Sequence, residues 1–174
     1  QRISKKMNLK KNLMINNNSQ NNLKKNSLSF RDPASKIYEV IDSNGKIIKI
    51  LRGLREDSFY IFKELSNKEF FEKFLKSEMI VKSKFDLNED HNIKKIKEDG
   101  WKDVIEHEVL NFISYPYEWP FSMLKDSALL HLFIIKKSFE NSWVLKDSSA
   151  YNVQWKNGKP IFIDLTSFVP CGDN

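Results

Sequence analysis

The chain has 174 residues, 40% hydrophobic and 13% aromatic, with 29 Lys and Arg against 23 Asp and Glu and a formal net charge of +6. That length and apolar content predict one folded domain with a sizeable core, and exclude a wholly disordered chain. No apolar run approaches the ~18–20 residues of a membrane span, and the single cysteine, Cys171, excludes an internal disulfide, so a reducing, cytoplasmic compartment is expected.

The charge is unevenly placed. Residues 1–30 carry seven Lys and Arg and no acid, which leaves 22 basic against 23 acidic residues for the rest. Residues 1–28 are Asn- and Lys-rich with few apolar side chains, predicting a disordered basic leader rather than a secretory signal. A basic tail can touch nucleic acid or an anionic membrane, but a solvated leader explains the same composition, so nucleic acid is not an expected partner. Gln1 stands first and Met7 just inside, and the most informative motif lies near the other end, so a piece of a longer protein is expected.

Order is expected from Ser29-Phe30-Arg31-Asp32-Pro33 onward. Residues 37–40 and 46–51 read as two strands turned by Asp42-Ser43-Asn44-Gly45, where Asn-Gly is a strong hairpin signal. Phe59, Phe62 and Leu65 then mark one face of a helix. Ser66-x-x-Glu69 has the form of a capping box opening a second helix through Phe70, Phe71, Phe74 and Leu75. Residues 79–85 read as a strand, and 86–100, charged and nearly devoid of apolar side chains, as an exposed connection. Residues 104–106 and 109–114 read as a further strand pair.

Tyr115-Pro116-Tyr117-Glu118-Trp119-Pro120 interrupts any strand, and Pro120 suits a helix start. The helix to about Asn141 shows Phe121, Leu124, Ala128, Leu132, Ile135 and Phe139 at spacings of three and four, predicting that stripe as its buried face. A short strand at 144–145, a polar loop, and a hairpin with arms 152–155 and 160–165 turned by Asn157-Gly158 complete the order. Helices and strands are segregated, so the fold class is α+β.

The polar loop and hairpin carry the chemistry. Asp147 and Asn152 stand as Asp-x-x-x-x-Asn, and Asp164 follows at the end of the second hairpin arm. Phosphoryl transfer needs an acceptor for the substrate hydroxyl proton, which Asp147 can supply. It also needs hard oxygen ligands for Mg²⁺ against the phosphates, which Asn152 and Asp164 can supply once the hairpin brings them together. The same residues also read as turn formers and a hairpin-end cap. His91, His107 and His131 show no metal-ligand spacing, and Cys171 has no nearby His. Trp101, Trp119, Trp143 and Trp155 read as packing residues rather than stacking platforms.

Three segments also carry a resemblance. They are Ser29-Phe30-Arg31-Asp32-Pro33, the run Ile113-Ser114-Tyr115-Pro116-Tyr117-Glu118-Trp119-Pro120-Phe121-Ser122 with residues 124–130, and Leu145-Lys146-Asp147-Ser148-Ser149-Ala150-Tyr151-Asn152-Val153-Gln154. Together they are similar to bacterial proteins labelled class I SAM-dependent methyltransferases or nodulation NoeA-related. In site and order the chain also resembles protein kinases and aminoglycoside-phosphotransferase-like enzymes. That second resemblance implies a kinase-like two-lobe arrangement, truncated in the C-terminal lobe: 29–114 N-lobe-like, 115–120 the hinge, and 121–174 the start of the C-lobe. It implies Asp147 as the catalytic Asp, Asn152 and Asp164 as Mg²⁺ ligands, and the hinge, with Tyr117 and Trp119, as the wall for the adenine of ATP. It makes Lys49 the best match for the phosphate-pairing lysine, with Glu69 or Glu64 as its partner, while Lys46 and Arg52 compete for the role.

The departures are equally specific. No Gly-rich phosphate loop is present, and Leu165-Thr166 follow Asp164 where kinases have Phe-Gly. Two functions are therefore carried forward. One is a Mg²⁺-ATP phosphotransferase acting on an unknown small-molecule or macromolecular acceptor. The other is a non-catalytic kinase-shaped accessory domain of a methyltransferase-type protein. The chain is not itself expected to bind S-adenosylmethionine, since its five glycines form no strand–helix Gly-rich turn. That cofactor belongs only to a further domain.

Overall fold

The structure, a computed structural model, describes residues 22–26 and 33–172. The expected start of order at Ser29 to Asp32 and most of the expected leader lie outside the described residues. Within that leader, however, Asn22–Lys25 form strand β1, which pairs antiparallel with β2 (Ser35–Ile41).

β2 and β3 (Ile47–Leu54) form the first expected hairpin. Asp42 organises its turn: one carboxylate oxygen accepts from the N–H groups of Asn44 and Lys46, at 2.8 and 2.9 Å. Gly45 takes φ +80°, a left-handed conformation that glycine adopts without steric cost. Helices α1 (Glu56–Ser66) and α2 (Glu69–Lys76) follow as expected, but not the capping box. The Ser66 hydroxyl donates to the carbonyl of Lys63 at 2.8 Å, closing α1 rather than opening α2, whose N-cap is Lys68. Ser66 lies in the last turn of α1, where carbonyls rather than N–H groups lack partners.

Residues 79–85 are less regular than expected and act as a splice. Ile80 makes a parallel bridge to Phe162, and only β4 (Ser83–Lys84) is a strand. The expected exposed connection 86–100 instead contains helix α3 (His91–Glu98), capped by the Asp90 carboxylate accepting from the Ile93 N–H at 2.9 Å. Ile93 and Ile96, three apart, pack with Tyr38, Val40, Leu51 and Val104 on the outer face of the sheet. Two apolar residues on one turn sufficed where the composition pointed to solvent. The Cβ-less Gly53 lets Trp101 lie against β3, and Trp101 Nε1 donates to the Tyr38 hydroxyl at 2.7 Å.

β5 (Asp103–His107) pairs with β3 and β4, giving the order β1-β2-β3-β5-β4. Residues 109–114 are not its strand partner. They run as an irregular connection to a single 3₁₀ turn at Pro116–Glu118 and then to α4 (Phe121–Phe139), which starts after Pro120 as expected. The buried face of α4 is Ser127, His131, Ile134 and Ser138, not the predicted stripe. Phe121 is 81% exposed, Leu132 63% and Phe139 68%. The helix is apolar around most of its circumference, so spacing alone did not select the face that packs.

β6 (Trp143–Leu145) pairs with β9 (Phe168–Pro170), and β7 (Val153–Lys156) with β8 (Lys159–Phe162) in the second expected hairpin. One aromatic core joins the halves: Phe62, Phe71 and Phe74 from the helices meet Trp143, Phe162 and Phe168. Several of these rings pack edge-on, which favours a defined arrangement over loose collapse. The fold is the α+β class the sequence indicated. Among the described residues, no helix is long and apolar enough to cross a membrane.

Candidate functional site

The first sheet and the β7–β8 hairpin meet around a cavity of about 290 Å³. Ile37, Ile47 and Ile50 line it from the sheet, Ile163 from the hairpin's exit, and Val109, Leu110 and Ile113 from the connection after β5. Arg52 and His107 also line it, and both are more than nine-tenths buried.

Strand alternation explains which cation reaches the cavity. Residues two apart share a face of β3, so Ile50 and Arg52 point one way and Lys49, Leu51 and Gly53 the other. Lys49 therefore lies on the α3 side, paired with Asp90 at 3.5 Å and Glu106 at 3.7 Å. It does not meet the carboxylates expected for it: Glu69 pairs with Lys73 and Glu64 with Lys68, each one helical turn away. Of the competing cations, Arg52 is the one at the site.

Arg52 reaches across 112 residues of sequence to Asp164. Its Nη1 donates to Asp164 Oδ1 at 2.7 Å and to the Thr166 hydroxyl at 2.5 Å. The Thr166 hydroxyl donates to the same carboxylate oxygen at 2.8 Å, and the Ser167 hydroxyl to Oδ2 at 2.6 Å. Burial pushes the Asp164 carboxyl up, but the Arg52 charge and the hydrogen bonds from Ser167, Thr166 and Arg52 outweigh it and hold the group below its ordinary value. Arg52 Nε has no partner among the described residues.

His107 sits on the same wall. Its Nδ1 lies 2.7 Å from the Ser83 hydroxyl, which itself donates to the carbonyl of Val81 at 3.0 Å. The imidazole Nε2, at the other side of the ring, is buried and has no partner among the described residues. Burial, with the Arg52 charge adding and the Asp164 charge opposing, lowers this imidazole's pKa from 6.5 to about 3.

The expected catalytic loop is ordered differently from its neighbours. Asp147 is exposed, and its Oδ1 accepts from the Ser149 N–H at 2.9 Å. The Asn152 amide nitrogen donates to the Asp147 carbonyl at 3.3 Å, while the Asn152 carbonyl accepts from the Ile163 N–H at 2.8 Å. The hairpin thus brings Asn152 beside the residue preceding Asp164, as its turn chemistry predicts.

These groups do not form a cradle for Mg²⁺, which demands near-octahedral oxygen coordination. Asp164 Oδ1 already accepts from Arg52 and Thr166 and Oδ2 from Ser167, and the guanidinium already balances its charge. Among the described residues, no group of three or more His, Cys, Asp or Glu gathers at metal-binding range.

Neither aromatic residue expected as an adenine wall lines the cavity. Trp119 is core: its Nε1 donates to Ser114 Oγ at 2.8 Å and its ring stands edge-on to Trp155. Tyr117 is 75% exposed and stacks parallel on Tyr115, centroids 5.6 Å apart. The connection that does line the cavity comes earlier. Glu108 is anchored by Lys156 at 2.7 Å, and Gln154 clamps both the N–H and carbonyl of Ser114 at 3.0 Å. Between those anchors, the backbone of residues 109–113 makes no hydrogen bond within the described chain. Sequence reading passed over His107 because it asked only for metal spacing; alternation along 103–107 carried the usable signal.

No family model matches the chain. It is 30% identical over 146 residues to the nodulation protein NoeA of Rhizobium meliloti (strain 1021), a match that takes in 83% of this chain. The chain spans 28% of the length of that curated relative. Among solved structures it is similar to the PAN3 pseudokinase of Neurospora crassa at 15% identity, over 94% of this chain and 46% of that one, with a TM-score of 0.48.

Proposed function

We propose that the chain is a kinase-shaped binding domain whose cleft takes a flat heterocycle such as the base of a nucleotide. The cavity carries this reading. At about 290 Å³ it stands near the lower end of the roughly 300–1,000 Å³ of small-molecule sites. Branched aliphatic side chains from the sheet, the connection after β5 and the hairpin's exit make its lining mostly apolar, which suits a flat ring. Val109, Leu110 and Ile113 border the cavity, and their backbone groups, unpaired within the described chain, are available to hydrogen-bond a heterocycle.

In the longer proteins of the kind it resembles, this domain serves other domains by presenting or sensing that ligand. The methyltransferase partner suggested by the sequence belongs to the same proposal, with S-adenosylmethionine binding outside this chain. The competing reading, phosphoryl transfer with Asp147 receiving an acceptor's proton, rests on the retained Asp147, Asn152 and Asp164. It requires Asp164 to be released from Arg52.

Thermal unfolding of the chain with adenosine or ATP tests the binding. Either ligand should raise the melting temperature, and Ile50→Trp, which fills the cavity from one wall, should remove the rise while the domain stays folded. Absence of a shift with every adenine compound, or an undiminished shift in the variant, defeats the proposal. Release of phosphate or labelling of an acceptor would favour the phosphotransferase.

A further inference from the structure

We propose that Arg52 takes the part of the divalent cation in this cleft, so that the ligand binds without metal and is met by the guanidinium itself. This rests on the reading of the cavity as a ligand site, and adds the chemistry of its polar end.

Three observations converge. First, Arg52 already performs the electrostatic task of a metal at Asp164, neutralising the carboxylate at 2.7 Å while Thr166 and Ser167 each donate one further hydrogen bond to it. Second, the guanidinium is only half engaged. Nη1 makes both contacts, while Nε, in a side chain more than nine-tenths buried, has no partner among the described residues. A buried donor without an acceptor is unfavourable, and a turn of the guanidinium that brought it to a ligand oxygen would relieve it. Third, Arg52 lines the cavity beside His107, whose buried Nε2 also has no partner among the described residues. The polar end therefore offers a charged donor beside an imidazole, which matches a ligand carrying an oxygen. Arginine's planar fork can hold a carboxylate with one edge and a ligand oxygen with another, which a lysine at this position could not reproduce.

Two readouts test this, and they fail separately from the proposed function. The melting-temperature shift with adenosine and with ATP should be equal in excess EDTA and in excess MgCl₂. Mn²⁺ alone, followed by calorimetry and by water-proton relaxation, should show no binding to the wild type but measurable binding to Arg52→Met, in which Asp164 is freed. If Arg52→Met does not fold, Arg52→Gln, which removes the charge and keeps a polar side chain of similar reach, is the second variant and should also gain Mn²⁺ binding. A shift that appears only with Mg²⁺, or Mn²⁺ binding by the wild type, overturns the inference while leaving the cavity a ligand site. If no adenine compound shifts the chain, the ligand reading fails, and metal-free Asp164 is then decided by the Mn²⁺ arm alone.

Discussion

Acidification from pH 7 to pH 5 tests the buried environment of His107. The unfolded imidazole titrates near 6.5, whereas burial, with Arg52 adding and Asp164 opposing, brings the folded one to about 3. The unfolded chain therefore takes up the proton first as pH falls. The stabilisation from keeping His107 neutral is fully present above 6.5 and is lost as pH drops toward 3, at a limiting slope of about 1.4 kcal/mol per unit. Between pH 7 and 5 the linkage gives a loss of about 2 kcal/mol, or about 4–8 °C in melting temperature for a chain of this size.

Carboxylates do not share that window. Asp164 and Asp99 are lowered from 3.8, and Glu69, Glu78 and Glu140 from 4.5, so their contributions disappear only below those values. His131, lowered by burial against the opposing Asp147 charge, adds a smaller loss in the same direction. Urea unfolding followed by tryptophan fluorescence at the two pH values measures the total. His107→Gln, neutral throughout, should be less stable at pH 7 but lose about 2 kcal/mol less on acidification. Equal stability of the wild type at both pH values, or an unchanged loss in the variant, would refute the buried, neutral imidazole.

Two further substitutions test the packing around the site. Ile134→Ala on the buried face of α4 should cost about 2–5 kcal/mol by urea unfolding. Leu132→Glu, on the predicted but exposed stripe, should stay within about 0.5 kcal/mol of the wild type. The reverse order would place the wrong face of α4 inward. Gly53→Ala brings a methyl group within 2.6 Å of the Trp101 ring, so it should destabilise by about 1–3 kcal/mol and shift the indole emission. An unaltered spectrum and stability would mean that Trp101 does not lie against β3.

Local chemistry made much of this chain legible as sequence. Asn44-Gly45 and Asn157-Gly158 identify two hairpins because few residues accept the left-handed turn they need, and Gly45 and Gly158 both have positive φ. Pro120 marks the start of the long helix, and the spacing of Asp147, Asn152 and Asp164 places them on one loop–hairpin unit. Each of those signals depends on a residue and its near neighbours.

What failed depended on partners far along the chain. Residue type alone favoured Lys49 over Arg52, and only the docking of β3 between β2 and β5 decides that the even-numbered face meets the hairpin. The α4 stripe is more apolar than the face that packs, so hydropathy points the wrong way and the choice falls to His131 and Ile134 meeting β8 and its neighbours. The contact between Arg52 and Asp164 exists because Ile80 bridges to Phe162 and holds the hairpin under the sheet. Sequence alone determined that the loop–hairpin unit would carry three polar residues. The tertiary structure decided that the last of them, Asp164, would face an arginine, because a buried carboxylate takes its character from the charges brought within a few ångströms of it.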